Sequence, residues 1–168
     1  MPAPARARLA RGRHPDARGQ SLAEFALILM PLLLVLLGIV QMGLIFNTYV
    51  TIANASREGA RSATIYLYDR ALSKAQNDTA RSDAAWASTT AAMGMLSTNS
   101  PQIARSSDFI VSYSIPSGVT ESDPRTGQHV RLQMTYHLDL VIPLIADILP
   151  RDSGGRLPIG ADVTMVVN

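Results

Sequence analysis

Two pairs of residues could do chemistry by their type and spacing. The first is His137 and Asp139 in "HVRLQMTYHLDLVI", two apart on one strand face, where they sketch a metal or acid–base pair. They alternate there with Arg131, Gln133 and Thr135, so the face reads as a solvated surface. His14 belongs to a basic leader and His129 opens a strand after a loop. Glu121 and Asp123 lie in a turn-rich loop without the ligand spacing of a calcium site. The chain has no cysteine, which excludes a disulfide framework and a thiolate metal site. It has no P-loop, nucleophile elbow or zinc signature. Its aromatic residues give no stacking platform for nucleic acid. No enzymatic activity, cofactor or nucleic-acid partner is expected.

The second pair is Gly19 and Glu24, in "RGQSLAEFALILMPLLL". Glu24 stands one residue ahead of the longest apolar run in the chain. "SLAE" fits a capping box, in which Ser21 caps the N–H of Glu24 and Glu24 reaches back to the N–H of Ser21. That arrangement satisfies helix-end donors and puts negative charge at the positive end of the helix dipole. It does not account for Gly19 or for the arginines before it.

The elements that must position this pair begin with residues 25–46, which carry no charge and one polar side chain, Gln41, apart from the backbone. A hydrocarbon core of about 30 Å needs roughly 20 helical residues, so the run is long enough to span a membrane. The rest of the chain is too small to wrap it on all sides. Residues 1–19 hold five arginines and one acid, while the formal charge of residues 20–168 is −2. A basic arm next to a membrane segment orients it with the N-terminus in the cytoplasm and the C-terminus outside.

Residues 1–19 lack apolar periodicity and are expected to be disordered. A helix is expected from near Ser21 to about Leu67, about 70 Å if unbroken. Beyond the apolar run it keeps a small-residue stripe of Ile52, Ala55, Gly59, Ala63 and Tyr66. Residues 69–98 read as one or two helices, with Asp69 as N-cap, an interruption near "QNDT", and a stripe of Trp86, Thr89, Met93 and Leu96. "FIVSYSI" places Phe109, Val111, Tyr113 and Ile115 on one strand face. In "HVRLQMTYHLDLVI" every even position from Val130 to Ile142 is apolar, the pattern of a sheet with one wet and one covered face. Its length suggests a bend or bulge. "PLIADILP" reads as a short helix opened by Pro143, and "ADVTMVV" as a last strand.

The fold class expected is α+β: a single long N-terminal transmembrane helix continuing into a small exported domain, with an additional helix and a three- to four-stranded antiparallel sheet. The boundaries are 1–19 for the leader, 20–46 for the transmembrane helix, 47–68 for its extension and 69–168 for the exported domain.

Taken together, Gly19, Gln20, Glu24 and Phe25, with a basic leader before them and a membrane-length run after, resemble the processing site of Flp-type prepilins and their pseudopilins. "RGQSLAEFALILMPLLLVLLGIVQMG" followed by "ANASREGARSA" looks like the TadE-like family of the tight-adherence pilus system. The resemblance implies a pilin-like subunit cut by prepilin peptidase between Gly19 and Gln20. It implies that Glu24 then pairs with the new amino terminus of a neighbouring subunit and sets helix register. The implied partners are the membrane, the peptidase, other pilins or pseudopilins and the inner-membrane assembly platform. The implied location is the bacterial inner membrane, with the C-terminal domain periplasmic or extracellular, or the pilus itself. Many such proteins carry a cysteine pair in the outer domain, and this chain has none.

Four further residues bear on packing. Pro31 reads as a tolerated kink or as a deformable point in the helix. Gly38 and Gly43 invite close helix contact without forming a GxxxG pair. Gln41 could hydrogen-bond across helices or be a tolerated polar residue. Two rival readings are an uncleaved single-pass anchor with an outer binding domain, and a secreted protein released after "ANA" at 53–55. The apolar run is too long for a signal peptide, which counts against the second.

Overall fold

The computed structural model describes residues 16–65, 68–120, 125–142 and 146–167. These fall into two compact units, one ending at Leu37 and one beginning at Gly38. Helix α1 is Asp16–Thr64, α2 is Lys74–Ala92 and α3 is the single turn Arg105–Asp108. Strands β1 (Phe109–Ser114), β2 (His129–Leu138) and β3 (Leu157–Val166) form one antiparallel sheet in the order β1-β2-β3. The α+β class is therefore observed, with three strands among the described residues.

The central strand follows from its alternation. Val130, Leu132, Met134 and Tyr136 are buried, and the residues between them are not. The register sets Val111 and Val163 on either side of Leu132, and Phe109 and Ala161 on either side of Met134, so one face of all three strands is apolar. Within the second unit α1 covers this face with Ile52, Ala55, Ser56, Gly59, Ala60 and Ala63. The stripe expected from sequence is thus the buried one; Tyr66, at its end, lies outside the described residues. Cutting a side chain such as Leu132 back to alanine in a core of this kind costs about 2–5 kcal/mol.

Helix α2 starts later than expected. Its N-cap is Ser73, not Asp69, and the capping box is between Ser73 and Gln76. The Asp69 carboxylate instead accepts the N–H of Ala71 at 2.8 Å. "QNDT" does not interrupt the helix, because Asn77 turns inward: its side chain accepts the Asp69 N–H at 2.9 Å and donates to the carbonyls of Asp69, Leu72 and Ser73. The stripe of α2 that is buried is Asn77, Arg81, Ala85 and Thr89. Trp86 is half-buried and meets Phe109 edge to face at 5.1 Å.

The remaining boundaries also differ. Strand β2 ends at Leu138 and pairs without a bulge, since Asp139 turns away into an ion pair with Arg156. Strand β3 begins four residues earlier than "ADVTMVV". Helix α1 begins at Asp16, so Ser21 lies inside it and is not a cap, and the expected capping box with Glu24 does not form. The leader before Asp16, Leu67, Glu121, Asp123 and Pro143 lie outside the described residues.

Candidate processing and packing site

Gly19 and Gln20 lie in and just after the first turn of α1. A methyl group added at Gly19 would meet no other atom within 4 Å. The Gln20 amide donates to the Glu24 carboxylate at 3.0 Å, one turn on, on an exposed surface. The Gly19–Gln20 peptide is therefore helical and lies directly after the N–H groups of the first turn, which have no partners within the helix. Helix ends fray, and a glycine there costs about 1 kcal/mol of helix stability relative to alanine.

After Glu24 the first unit presents apolar side chains on every side. Phe25, Leu27, Ile28, Met30, Leu32, Val35 and Leu36 are all exposed, Leu27 to 78%. A helix that is apolar all round is stable only inside a protein core or a membrane. Among the described residues α1 is the one helix long and apolar enough to cross a bilayer. Pro31 is accommodated within it and shares a face with Ala23, Ala26, Leu27, Met30 and Leu34.

The other packing candidates belong to the second unit. Gly38 is half-buried, and Gly43 is exposed with open space around it. Gln41 is fully buried, and its oxygen accepts the backbone N–H of Val141 at 3.1 Å, a hundred residues away in sequence. Its amide nitrogen has no hydrogen-bond partner among the described residues.

The structure separates His137 from Asp139. His137 Nδ1 lies 2.6 Å from Asp152, and Nε2 lies 3.5 Å from Asp108. Asp139 binds Arg156 at 2.8 Å and accepts from Gln102 at 2.8 Å. This end of the wet face is a set of bridges tying β2 to α3 and to the turn before β3. Asp152 is held below the usual carboxylate range, first by the backbone N–H of Arg156 and then by His137 and the Gly154 N–H, against its desolvation. Asp108 feels desolvation most strongly, but the Ala104 N–H, Ser107 and His137 together pull it below the ordinary value. Among the described residues no group of three or more such side chains is placed to hold a metal ion.

A second cluster was not anticipated. Arg125 grips Asp78 with two 2.7 Å bonds, donates to Gln128 at 2.9 Å and stacks 4.0 Å from the centre of the Tyr113 ring. Arg81 is buried on the same ring at 5.8 Å. Burial, with help from Asp78, pushes the Tyr113 hydroxyl pKa up, while the two arginines oppose the shift. The spacing of Asn77, Arg81, Ala85 and Thr89 at every fourth residue was the available signal, but polar residues in that pattern ordinarily mark a wet helix face.

A family model described as TadE-like protein matches residues 19–61. This segment of the chain is similar to the TadE-like family. The match takes in the Gly19–Glu24 pair, the whole apolar run and α1 almost to its end, and leaves α2 and the sheet outside it. The resemblance to the TadE-like family read from the sequence agrees with this match over these residues. Comparison with curated proteins and with solved structures gives no match.

Proposed function

We propose that the chain is a TadE-like pseudopilin or minor pilin of a tight-adherence pilus system, and that it acts by helix packing and protein contacts rather than by catalysis. One observation carries the reading: within the TadE-like segment, a helix with exposed apolar side chains has a single carboxylate, Glu24, at its lip. The helix inserts into the inner membrane with its basic leader in the cytoplasm, and residues 69–168 face the periplasm or the exterior, beyond the extension 47–68. Prepilin peptidase cuts after Gly19, once the first turn opens.

Glu24 becomes the fifth residue of the mature chain and pairs with the new amine of Gln20 on a neighbouring subunit. A carboxylate at the bilayer centre costs about 2.5–3.5 kcal/mol on insertion scales and less near an end, so an unpaired one favours finding a partner. Phe25 seats the helix behind that pair. Pro31 gives a point at which the helix bends on leaving the bilayer, and Gly38 and Gly43 allow close helix contact. The sister pilins and the assembly platform are the partners.

N-terminal sequencing of the membrane-fraction protein tests this. Gln20 as first residue is expected, and Gly19→Val should leave the leader attached. A start at Met1 or Pro2 supports an uncleaved anchor, and a start at Ser56 supports secretion. Unchanged trimming in Gly19→Val refutes the prepilin reading.

A further inference from the structure

We propose that the outer edge of β3, with the cleft between it and α1, is a docking site for an extended, acidic peptide segment of another protein, which adds to the sheet beside β3. The inference goes beyond the proposed function and stands on the second unit alone, whether or not the chain is cleaved or inserted.

The edge itself is bare. β3 is the last strand of the sheet and is ten residues long, against six in β1. Just past its end the Val167 N–H donates to the Gln128 carbonyl, and the Val167 carbonyl accepts the Gly127 N–H, each at 2.9 Å. Main-chain groups in an antiparallel ladder face the partner strand at every second residue. The odd-numbered residues of β3 therefore face β2, and the N–H and C=O groups of Gly160, Asp162, Thr164 and Val166 point outward. Among the described residues none hydrogen-bonds to these outward groups. A long bare edge is a template for pairing, and proteins that avoid pairing blunt it with lysine, proline or a bulge. β3 has no lysine, pairs with β2 without a bulge, and has its one proline, Pro158, near its start.

The covered face of the sheet is also incomplete on this side. Val130, Leu132 and Met134 of β2 are buried, whereas their neighbours on β3, Met165, Val163 and Ala161, are half-buried. A cleft of about 140 Å³ opens here, between Tyr49, Ala53 and Arg57 of α1 and residues 160–163 of β3. An added strand gives its main chain to the edge and turns alternate side chains toward the cleft.

Charge selects the occupant. Arg57 is exposed, donates to the Asn54 side chain at 3.2 Å and meets no carboxylate among the described residues. Its acidic neighbours are already engaged: Glu58 with Arg61 at 3.4 Å, and Asp162 with Arg131 on the wet face. A carboxylate on the incoming segment forms a charge-assisted pair with the Arg57 guanidinium. A second copy of this chain fits worse, because antiparallel pairing of two β3 edges brings the two Arg57 side chains to one contact, where like charges repel.

The probe is a short synthetic peptide of alternating valine and threonine with one central glutamate, added to the full chain in detergent micelles. Amide hydrogen exchange is followed residue by residue by NMR. Exchange at Gly160, Asp162, Thr164 and Val166 is expected to slow at least tenfold, with Ala161 and Val163 unchanged. Arg57→Glu is expected to weaken binding at least tenfold and to favour a peptide with a central lysine instead. A peptide that slows none of the outward amides overturns the proposal. So does Arg57→Glu binding the glutamate peptide as tightly as the native chain. Outward amides already protected without peptide, and more so at higher protein concentration, assign the edge to a second copy and overturn it as well.

Discussion

Gly59 of α1 faces Thr89 of α2 with no room for a side chain between them: a Cβ on Gly59 would collide with the Thr89 hydroxyl and come within 3.0 Å of the Ala85 carbonyl and 3.1 Å of Leu132. The two helices meet here above the central strand. Thr89 cannot simply swing aside, because its hydroxyl donates to the Ala85 carbonyl at 2.8 Å and the residue is fully buried. Gly59→Ala is expected to lower the thermal unfolding midpoint. Overpacking costs about 1–3 kcal/mol, offset in part by the roughly 1 kcal/mol that alanine gains over glycine in a helix. Gly59→Ala in a Thr89→Ala background should cost less than in the native chain, and this coupling in a double-mutant cycle is the check. Gly43→Ala, with open space around it, should show no such loss.

Asn77 joins the start of α2 to the turn before it through four hydrogen bonds, all between 2.9 and 3.2 Å. The residue is 2% exposed, so water does not readily replace a lost partner. Asn77→Ala is expected to destabilise by about 1–3 kcal/mol, the penalty for a buried polar group left unsatisfied. Asn77→Asp should be worse at neutral pH, since it keeps the acceptor for Asp69 N–H but turns a charged oxygen toward three carbonyls. Chemical denaturation of the two variants side by side gives the order; Asn77→Asp more stable than Asn77→Ala would overturn this account.

The Tyr113 ring contacts both Arg81 and Arg125, but its hydroxyl is buried with no hydrogen-bond partner among the described residues. Stacking uses the ring, and the hydroxyl adds only a desolvated dipole. Tyr113→Phe is therefore expected to leave stability unchanged or raise it by up to about 1 kcal/mol, whereas Tyr113→Leu loses the cation–π contacts, worth about 0.5–2 kcal/mol. The comparison of unfolding midpoints isolates the ring from its hydroxyl.

These positions also mark where the sequence could be read and where it could not. The alternation from Val130 to Leu138 identifies β2 and its covered face, because a strand sorts side chains strictly by parity. The apolar run and the Gly19–Glu24 spacing are local, and the TadE-like match falls on them. Helix α2 is harder: its buried face is Asn77, Arg81, Ala85 and Thr89; Asn77 and Arg81 meet partners outside the helix, and Thr89 bonds the Ala85 carbonyl of its own helix. The start of α1 is hidden for a related reason, since "SLAE" has the chemistry of a cap but lies within a helix already begun at Asp16. The Gln41–Val141 bond spans a hundred residues and leaves no mark in either local sequence.

Acid should unfold the second unit from the wet face of its sheet. Asp108, Asp152 and Asp162 all hold pKa values below the ordinary aspartate value of 3.8. In Asp162 the main cause is the Arg131 side chain, which binds it across the β2–β3 pair. A carboxyl whose pKa is lower folded than unfolded stabilises the fold only while ionised. That contribution is complete above the unfolded value and is lost as pH falls through the folded one, so the window lies below about pH 4. Asp152 is the sensitive member. Its carboxylate accepts the N–H groups of Gly154 and Arg156, each at 2.8 Å, and meets His137, so it shapes the turn that launches β3. The unfolding midpoint of the reconstituted chain is expected to drop steeply between pH 4 and pH 2 (roughly the span over which such carboxylates protonate). Asp152→Asn should lower the midpoint at neutral pH and flatten the acid limb. An acid limb equally steep in Asp152→Asn would assign the loss to other carboxylates.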